Sequence, residues 1–418
     1  MRRLLAPGAI LIIGLLLAGF AVLARGADYP APSGPETVGR TTLRWVDTSR
    51  TEIMTDEEEE DAREIIVHLW YPAKPGGDGV KATYVPDLGQ ISGAMRASGA
   101  ISAVELFGLR FVQTHALADA PMSDAETQYP VLLFSPGNVT NSAYYSTIIE
   151  ELVSHGYVIA AIDHPYDVTA VLLSNGQVAA FAEEKWPRIG ENADKESIDV
   201  NMRFYLERVN ARAEDARFVL DQLERLNTET GGQFKGRLDL SSAGIIGHSV
   251  GGITASRACE LDPRFRACLN LDGHYASSPF YPTESGVAPE QPFMLIATED
   301  ETQEPPDEML ARWGVTRDEW RRERDRVQQQ VTAMYQSVRS GSYQVVIPGA
   351  NHDSFTDGPT LLPAPLNREG EQADRILRIT SDYALAFFDE SLKGRSVALL
   401  DGPSAAHPEV MLQVYTAQ

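Results

Sequence analysis

The run Ala243-Gly-Ile-Ile-Gly-His-Ser-Val-Gly-Gly252 leaves few folds open to this chain. A short apolar stretch ends in glycines around Ser249, and a helical pattern opens at Gly251. Gly247-x-Ser249-x-Gly251 has the spacing of a nucleophile elbow, in which a serine sits on a strained strand-to-helix turn. Only residues without a Cβ let the strand and helix approach closely enough to push one hydroxyl out of that turn. The helix N-terminus behind it offers free backbone N–H groups to a developing negative charge. Ser249 is therefore a candidate nucleophile; the plainer alternative is a Gly-rich turn that closes a core strand.

An elbow of this kind needs a parallel sheet around it, and the chain supplies one. Glu64–Trp70 alternates and β-branches like a strand. From Pro130 the rhythm becomes strand, helix, strand, helix. Val131–Phe134 is a continuous apolar run and reads as a buried parallel strand, Tyr157–Ile162 reads as the next buried strand, and Arg266–Leu271, Phe293–Ala297 and Tyr343–Ile347 read as further strands. Helical spacing predicts helices over Tyr144–Ser154, Asn201–Leu226, the elbow helix to Glu260, and Ala373–Leu392. These units predict an α/β fold with a mainly parallel central sheet and helices on both faces. The proposed organisation is a catalytic domain over residues 60–395, a linker and N-terminal extension over 28–59, with Tyr29–Glu36 as an extended Pro-rich linker, and a tail over 396–418. Residues 305–340 read as a charged helical insertion anchored by Trp313 and Trp320. Residues 74–125 carry no clear signal and receive no role.

A hydroxyl is a weak nucleophile at neutral pH and needs a base, which in turn needs an orienting acid. In this kind of fold the three follow the chain order serine, acid, histidine, each in a loop after a strand. His274, His352 and His407 are the histidines after Ser249. His352 follows the last strand by a short Gly-containing loop and is the expected base; His407 lies in the tail, and His274 is a candidate pocket residue. Two acids fit, Asp272 at the end of the strand after the elbow helix and Asp300 after the next strand. The oxyanion needs two N–H donors: Val250 follows the nucleophile, and Asn138 or Val139 follows the strand at Val131–Phe134. His248 is expected to pack beneath the turn, and Asp163-His164 to form a structural pair. No metal or organic cofactor is required.

Composition narrows the partners. The net charge of −23 argues against nucleic acid, because phosphate binding needs clustered Lys and Arg. Part of the acidity is the run Asp56-Glu-Glu-Glu-Glu-Asp61, a solvated loop by its composition, with a calcium site as the minor alternative. Arg2 and Arg3 precede an uncharged stretch from Leu4 to Ala24, the pattern of a signal peptide or an uncleaved membrane anchor over residues 1–27. Either places the rest of the chain in an extracytoplasmic location, with membrane association possible through residues 4–24. In an oxidising compartment Cys259 and Cys268 could form a disulfide; two buried thiols are the alternative.

Phe134-Ser-Pro-Gly137, Ser154-His-Gly-Tyr-Val-Ile-Ala-Ala-Ile-Asp-His164, Gly247–Gly252, Asp262-Pro-Arg-Phe-Arg266 with Leu271-Asp272-Gly273, and Pro348-Gly-Ala-Asn-His352 together resemble the plasma-type platelet-activating-factor acetylhydrolases. The likeness spans residues 60–395 and implies an α/β-hydrolase fold and a serine-dependent, calcium-independent esterase of phospholipase A type. In that family the acid stands 23 positions past the serine, which lands on Asp272 (272 − 249). The resemblance likewise implies His352 as base and Val250 and Asn138 as oxyanion donors. It departs at Pro136-Gly137, where the family often has His-Gly. The expectation is an exported hydrolase of short-acyl carboxylic esters, platelet-activating-factor-like or oxidised phospholipids among them. The competing readings are a broad-specificity dienelactone-hydrolase-like or polyester esterase, and a non-catalytic binding protein on the same scaffold.

Overall fold

A computed structural model of the chain describes residues 29–55, 61–76, 79–186, 195–273, 290–299, 304, 306–312, 314–338, 341–361 and 370–415. The leader, the core of the acidic run at 56–60, His274, Asp300 and Trp313 lie outside the described residues.

The chain opens with a long antiparallel pair, β1 (Thr37–Thr51) and β2 (Ala62–Ala73). The short β3 (Lys81–Thr83), helices α1 (Leu88–Ala97) and α2 (Ala103–Gly108), and β4 (Gln113–Ala118) follow. The βα core then begins: β5 (Tyr129–Ser135), α3 (Ser146–Ser154), β6 (Val158–Asp163), the hairpin β7 (Ala170–Leu172) and β8 (Val178–Ala180), and α4 (Lys195–Thr228). Next come β9 (Leu238–His248), α5 (Val250–Leu261), β10 (Phe265–Leu271) and β11 (Phe293–Thr298). The last elements are α6 (Asp307–Arg312), α7 (Arg317–Ser337), β12 (Ser342–Ile347), α8 (Gly370–Lys393) and β13 (Met411–Tyr415).

Eleven strands form one sheet in the order β13-β12-β11-β10-β9-β5-β6-β2-β1-β4-β3. From β6 to β12 every neighbouring pair is parallel. The alternation of side chains along each strand divides the core into two layers. Leu132, Phe134, Ile159 and Ala161 meet Ile148 and Leu152 of α3 and Ile376, Phe387 and Phe388 of α8. Val131, Leu133, Val158 and Ala160 meet Ala213, Ala216, Leu220 and Leu223 of α4 and Ala255 of α5. The order of strand addition reverses between β5 and β9, which lie side by side and parallel, one leading to β6 and the other to β10. The loops leaving the carboxyl ends of such a strand pair splay apart and leave a crevice.

Two segments sit closer to the core than their composition implied. Tyr29–Glu36 is extended but strapped to α3: the buried Tyr29 donates to Glu150 Oε1 at 2.9 Å, Ser33 Oγ to Glu151 Oε1 at 2.5 Å, and Glu36 N to Ser154 O at 3.0 Å. In the tail, β13 pairs antiparallel with β12, and His407 Nε2 lies 2.9 Å from Asp382 of α8. Cys259 at the end of α5 and Cys268 in β10 are joined by a disulfide, with Cα atoms 6.5 Å apart. Among the described residues no helix is long and apolar enough to cross a membrane.

Candidate active site

Ser249 stands between β9 and α5 with φ 55° and ψ −124°, a region that side chains with a Cβ rarely occupy. The turn is possible because of its glycines: a Cβ on Gly247 would collide with the Gly251 carbonyl, and one on Gly251 with the Ser135 carbonyl. The Ser249 amide is held by the Leu271 carbonyl at 2.8 Å, so the serine is registered against the end of β10. One residue on, Asp272 is buried, with φ 50° and its amide on the Ile296 carbonyl at 2.7 Å. Its Oδ1 accepts the Thr298 N–H at 3.0 Å, and its Oδ2 lies 2.5 Å from His352 Nδ1. His352 opens a short 3-10 turn, His352–Phe355, just past β12, and half its side chain faces solvent. The carboxyl ends of β9, β10 and β12, with β11 between the last two, thus bring Ser249, Asp272 and His352 to one edge of the sheet.

His248 does more than pack beneath the turn. Its Nε2 lies 3.0 Å from the His352 carbonyl, and its Nδ1 2.8 Å from Tyr145 Oη, which also accepts the Gly137 N–H at 3.0 Å. A carbonyl can only accept, so Nε2 carries the proton; Nδ1 is then the acceptor and Tyr145 the donor. The result is one directional chain from Gly137 through Tyr145 and His248 to His352. It ties the loop after β5 to the loop after β12. The ring atoms of His248 and His352 and a carboxylate oxygen of Asp272 lie within 4.8 Å of one another. Of their acceptor atoms, His248 Nδ1 and both Asp272 oxygens already take part in hydrogen bonds.

The loop after β5 offers two candidate N–H donors, and the structure separates them. Val139 N–H is bonded to the Asp167 carbonyl at 2.8 Å, whereas no hydrogen bond to Asn138 N–H occurs among the described residues. Val250 opens α5, where the first N–H groups have no intrahelical acceptor. Asp163 and His164 do not pair with each other. Asp163 accepts from Asn141 Nδ2 and Ser142 N, and His164 lies between Ser135 and Asp215.

Beside the site lies a cavity of about 340 Å³. One wall is Val139, Thr140 and Tyr144 after β5, and another is Asp353, Thr356 and Leu361 beyond His352. A third wall includes Met95, Ile101, Val104 and Leu109 from α1, α2 and the turns around them, the segment to which the sequence assigned nothing. Short helices with few long apolar runs gave no periodic signal there. Arg208, Arg212 and Asp215, by contrast, could have been noticed. They follow the i, i+4, i+7 stripe that continues into the apolar face of α4, so their charges point where the periodicity demands burial.

A mainly parallel sheet with its elbow serine, acid and imidazole at the carboxyl ends of its strands defines an α/β-hydrolase. The family model for platelet-activating factor acetylhydrolase, isoform II, matches residues 22–395. The chain belongs to that family and is an ester hydrolase. A probable 1-alkyl-2-acetylglycerophosphocholine esterase of Arthroderma benhamiae is 25% identical over 91% of this chain and 92% of its own. The platelet-activating factor acetylhydrolase of Cavia porcellus is 29% identical over 58% of this chain; the match spans 55%, about half, of that relative. Among solved structures, a ferulic acid esterase from Streptomyces cinnamoneus superimposes with a TM-score of 0.66 at 27% identity. That match covers 93% of this chain and 99% of the esterase.

Proposed function

We propose that this chain is an exported serine carboxylesterase of short-acyl esters, with Ser249 as nucleophile, His352 as base and Asp272 as the orienting acid. The observation that carries the reading is the 2.5 Å contact between His352 Nδ1 and Asp272, one strand from an elbow serine. Asp272 holds the proton on Nδ1, which leaves Nε2 unprotonated and able to take the Ser249 proton. The alkoxide oxygen attacks the ester carbonyl, and the carbonyl π electrons move to oxygen. The N–H groups of Val250 and Asn138 meet that oxyanion. Collapse expels the alcohol, which takes the proton from His352; water then repeats the sequence on the acyl-serine and releases the acid.

The cavity lies between the loop that follows β5 and the loop that carries His352, so a substrate chain lying in it is flanked by both. The fungal relative, a probable 1-alkyl-2-acetylglycerophosphocholine esterase, supports a short acetyl ester of an alkyl glycerophosphocholine as the substrate class. The ferulic acid esterase neighbour supports a second reading, a broad esterase that accepts aromatic acyl groups beside Tyr144. Export is supported by the leader pattern of residues 1–27 and by the disulfide, a bond typical of oxidising compartments.

The test compares nitrophenyl esters of two to twelve acyl carbons, methyl ferulate and a 2-acetyl phospholipid, on wild type and Ser249→Ala. The proposal expects the highest kcat/KM with two- to four-carbon acyl groups and no turnover by Ser249→Ala. Faster turnover of methyl ferulate would favour the second reading. Activity that survives Ser249→Ala would end both.

A further inference from the structure

The loop Ser135–Val139, between β5 and α3, is gripped from behind by buried charge. Arg208 and Arg212, one turn apart on α4 and both fully buried, close on the same carboxylate. Arg208 Nε and Nη2 reach Asp167 at 3.0 and 2.6 Å, and Arg212 Nε reaches it at 3.1 Å. Arg212 then extends past Asp167 into the loop: Nη1 donates to the Pro136 carbonyl at 3.0 Å and Nη2 to Asn138 Oδ1 at 3.3 Å. The Asp167 carbonyl accepts the Val139 N–H at 2.8 Å, and Thr169 Oγ1 donates to the Val139 carbonyl at 2.6 Å. These bonds hold Val139 at φ 56°, a conformation that a β-branched residue adopts only when its surroundings impose it.

The start of the loop has its own brace. Ser135 Oγ lies 3.0 Å from His164 Nε2, and His164 Nδ1 2.7 Å from Asp215, one turn beyond Arg212 on α4. Asp215 is in turn held by Arg63 through Nε at 2.7 Å and Nη2 at 2.6 Å. Burial pushes His164 down to about 4, so its ring is neutral; it donates to Asp215 and accepts the Ser135 hydroxyl. Ser135, His164 and Asp215 copy the order of nucleophile, base and acid, yet all three are completely buried. No ester can reach that hydroxyl. The array braces the loop.

The consequence falls on one atom pair. Between Ser135 and Val139, proline has no N–H, Gly137 donates to Tyr145, and Val139 donates to Asp167. Asn138 N–H is left, and Arg212 holds both the carbonyl before Gly137 and the side chain of Asn138 itself. We propose that Arg212 is a positioning residue for the oxyanion hole: its planar fork fixes Asn138 N–H in the direction of the oxyanion. This rests on the reading of Ser249, Val250 and Asn138 given above. An oxyanion donor stabilises the transition state only when it is already oriented, because reorientation during reaction would cancel the gain. Lysine cannot reproduce the arrangement, since a point charge cannot serve a carboxylate and two loop acceptors in one plane.

Arg212→Gln and Arg212→Lys test the idea. Neither strands a buried carboxylate, because the Arg208 pair with Asp167 persists. The readouts are kcat and KM on a short-acyl nitrophenyl ester, and the inhibition constants of a trifluoromethyl ketone and its methyl ketone parent. The first ketone forms a tetrahedral adduct with an oxyanion; the second binds without one. Expected for both variants is a loss of about 10²-fold in kcat, the size seen for one oxyanion donor, with KM within threefold. The trifluoromethyl ketone should weaken by a similar factor and the methyl ketone should not. Equal weakening of both ketones, or an unchanged kcat, would overturn the proposal. A wild type that forms no adduct with the trifluoromethyl ketone would instead overturn the Ser249 reading beneath it. Should Arg212→Gln fail to fold, Arg212→Lys, which keeps the buried positive charge, carries the test; wild-type kcat in Arg212→Lys would overturn the proposal.

Discussion

Asp272→Asn is the perturbation whose outcome the geometry dictates most tightly. In the native chain both oxygens are committed, Oδ1 to the Thr298 N–H at 3.0 Å and Oδ2 to His352 Nδ1 at 2.5 Å. Asparagine has the same shape but one acceptor. Because Thr298 N–H is a fixed donor, the amide oxygen must face it; the opposite flip would set two donors against each other in a buried site. The amide NH₂ then points at His352 Nδ1, which has to become the acceptor. The imidazole proton moves to Nε2, the atom that should receive the serine proton. A serine protease triad given the same wrong tautomer loses about 10⁴-fold in turnover. The same order of loss in kcat is expected here, with KM nearly unchanged and melting within a few degrees of wild type. Steady-state hydrolysis of a short-acyl nitrophenyl ester, with thermal melting alongside, measures both. Asp272→Asn retaining more than a tenth of wild-type kcat would refute the assignment and move the acid elsewhere, with Asp300 the first position to examine.

Three further outcomes are expected. Tyr145→Phe leaves the buried Gly137 N–H without its acceptor and His248 Nδ1 without its donor, so chemical denaturation should show a loss of about 1–3 kcal/mol; stability equal to wild type would refute that chain of hydrogen bonds. Joining Cys259 and Cys268 closes a loop of nine residues' separation, worth about 2–3 kcal/mol by chain entropy, so a reductant should lower the melting temperature of the oxidised protein; two titratable thiols in the native chain would contradict the bond. Burial pushes Asp357 and Glu150 up to about 7, so the folded state holds protons that the unfolded chain releases near pH 4. Their contribution is present at low pH and lost as pH rises from about 4 to 7. The melting temperature of Asp357→Asn should therefore fall less than that of wild type between pH 5 and 8, and parallel curves would refute it.

The sequence by itself determined the rhythm of the fold and the ends of its strands. Apolar runs at Val131–Phe134 and Tyr157–Ile162 are legible because buried parallel strands need no polar face. Ser249, Asp272 and His352 stood out as candidates for a related reason: a strand that must end in a strained turn or a short loop marks its end with glycine. The sequence left Asp272 and Asp300 both open on position alone, and Asn138 beside Val139. Only the tertiary structure set His352 against Asp272 and spent the Val139 amide on Asp167, because those contacts join segments 80 and 28 positions apart through the sheet (352 − 272 and 167 − 139). The roof of the cavity at 95–109, the strap at Tyr29 and the pairing of β13 were equally invisible in the chain. Local propensity reports what a residue does to its neighbours in sequence. The cradle of Arg208, Arg212, Asp167 and Asp215 answers to a loop some seventy positions away, and only packing α4 against the sheet brings the charges and the loop together.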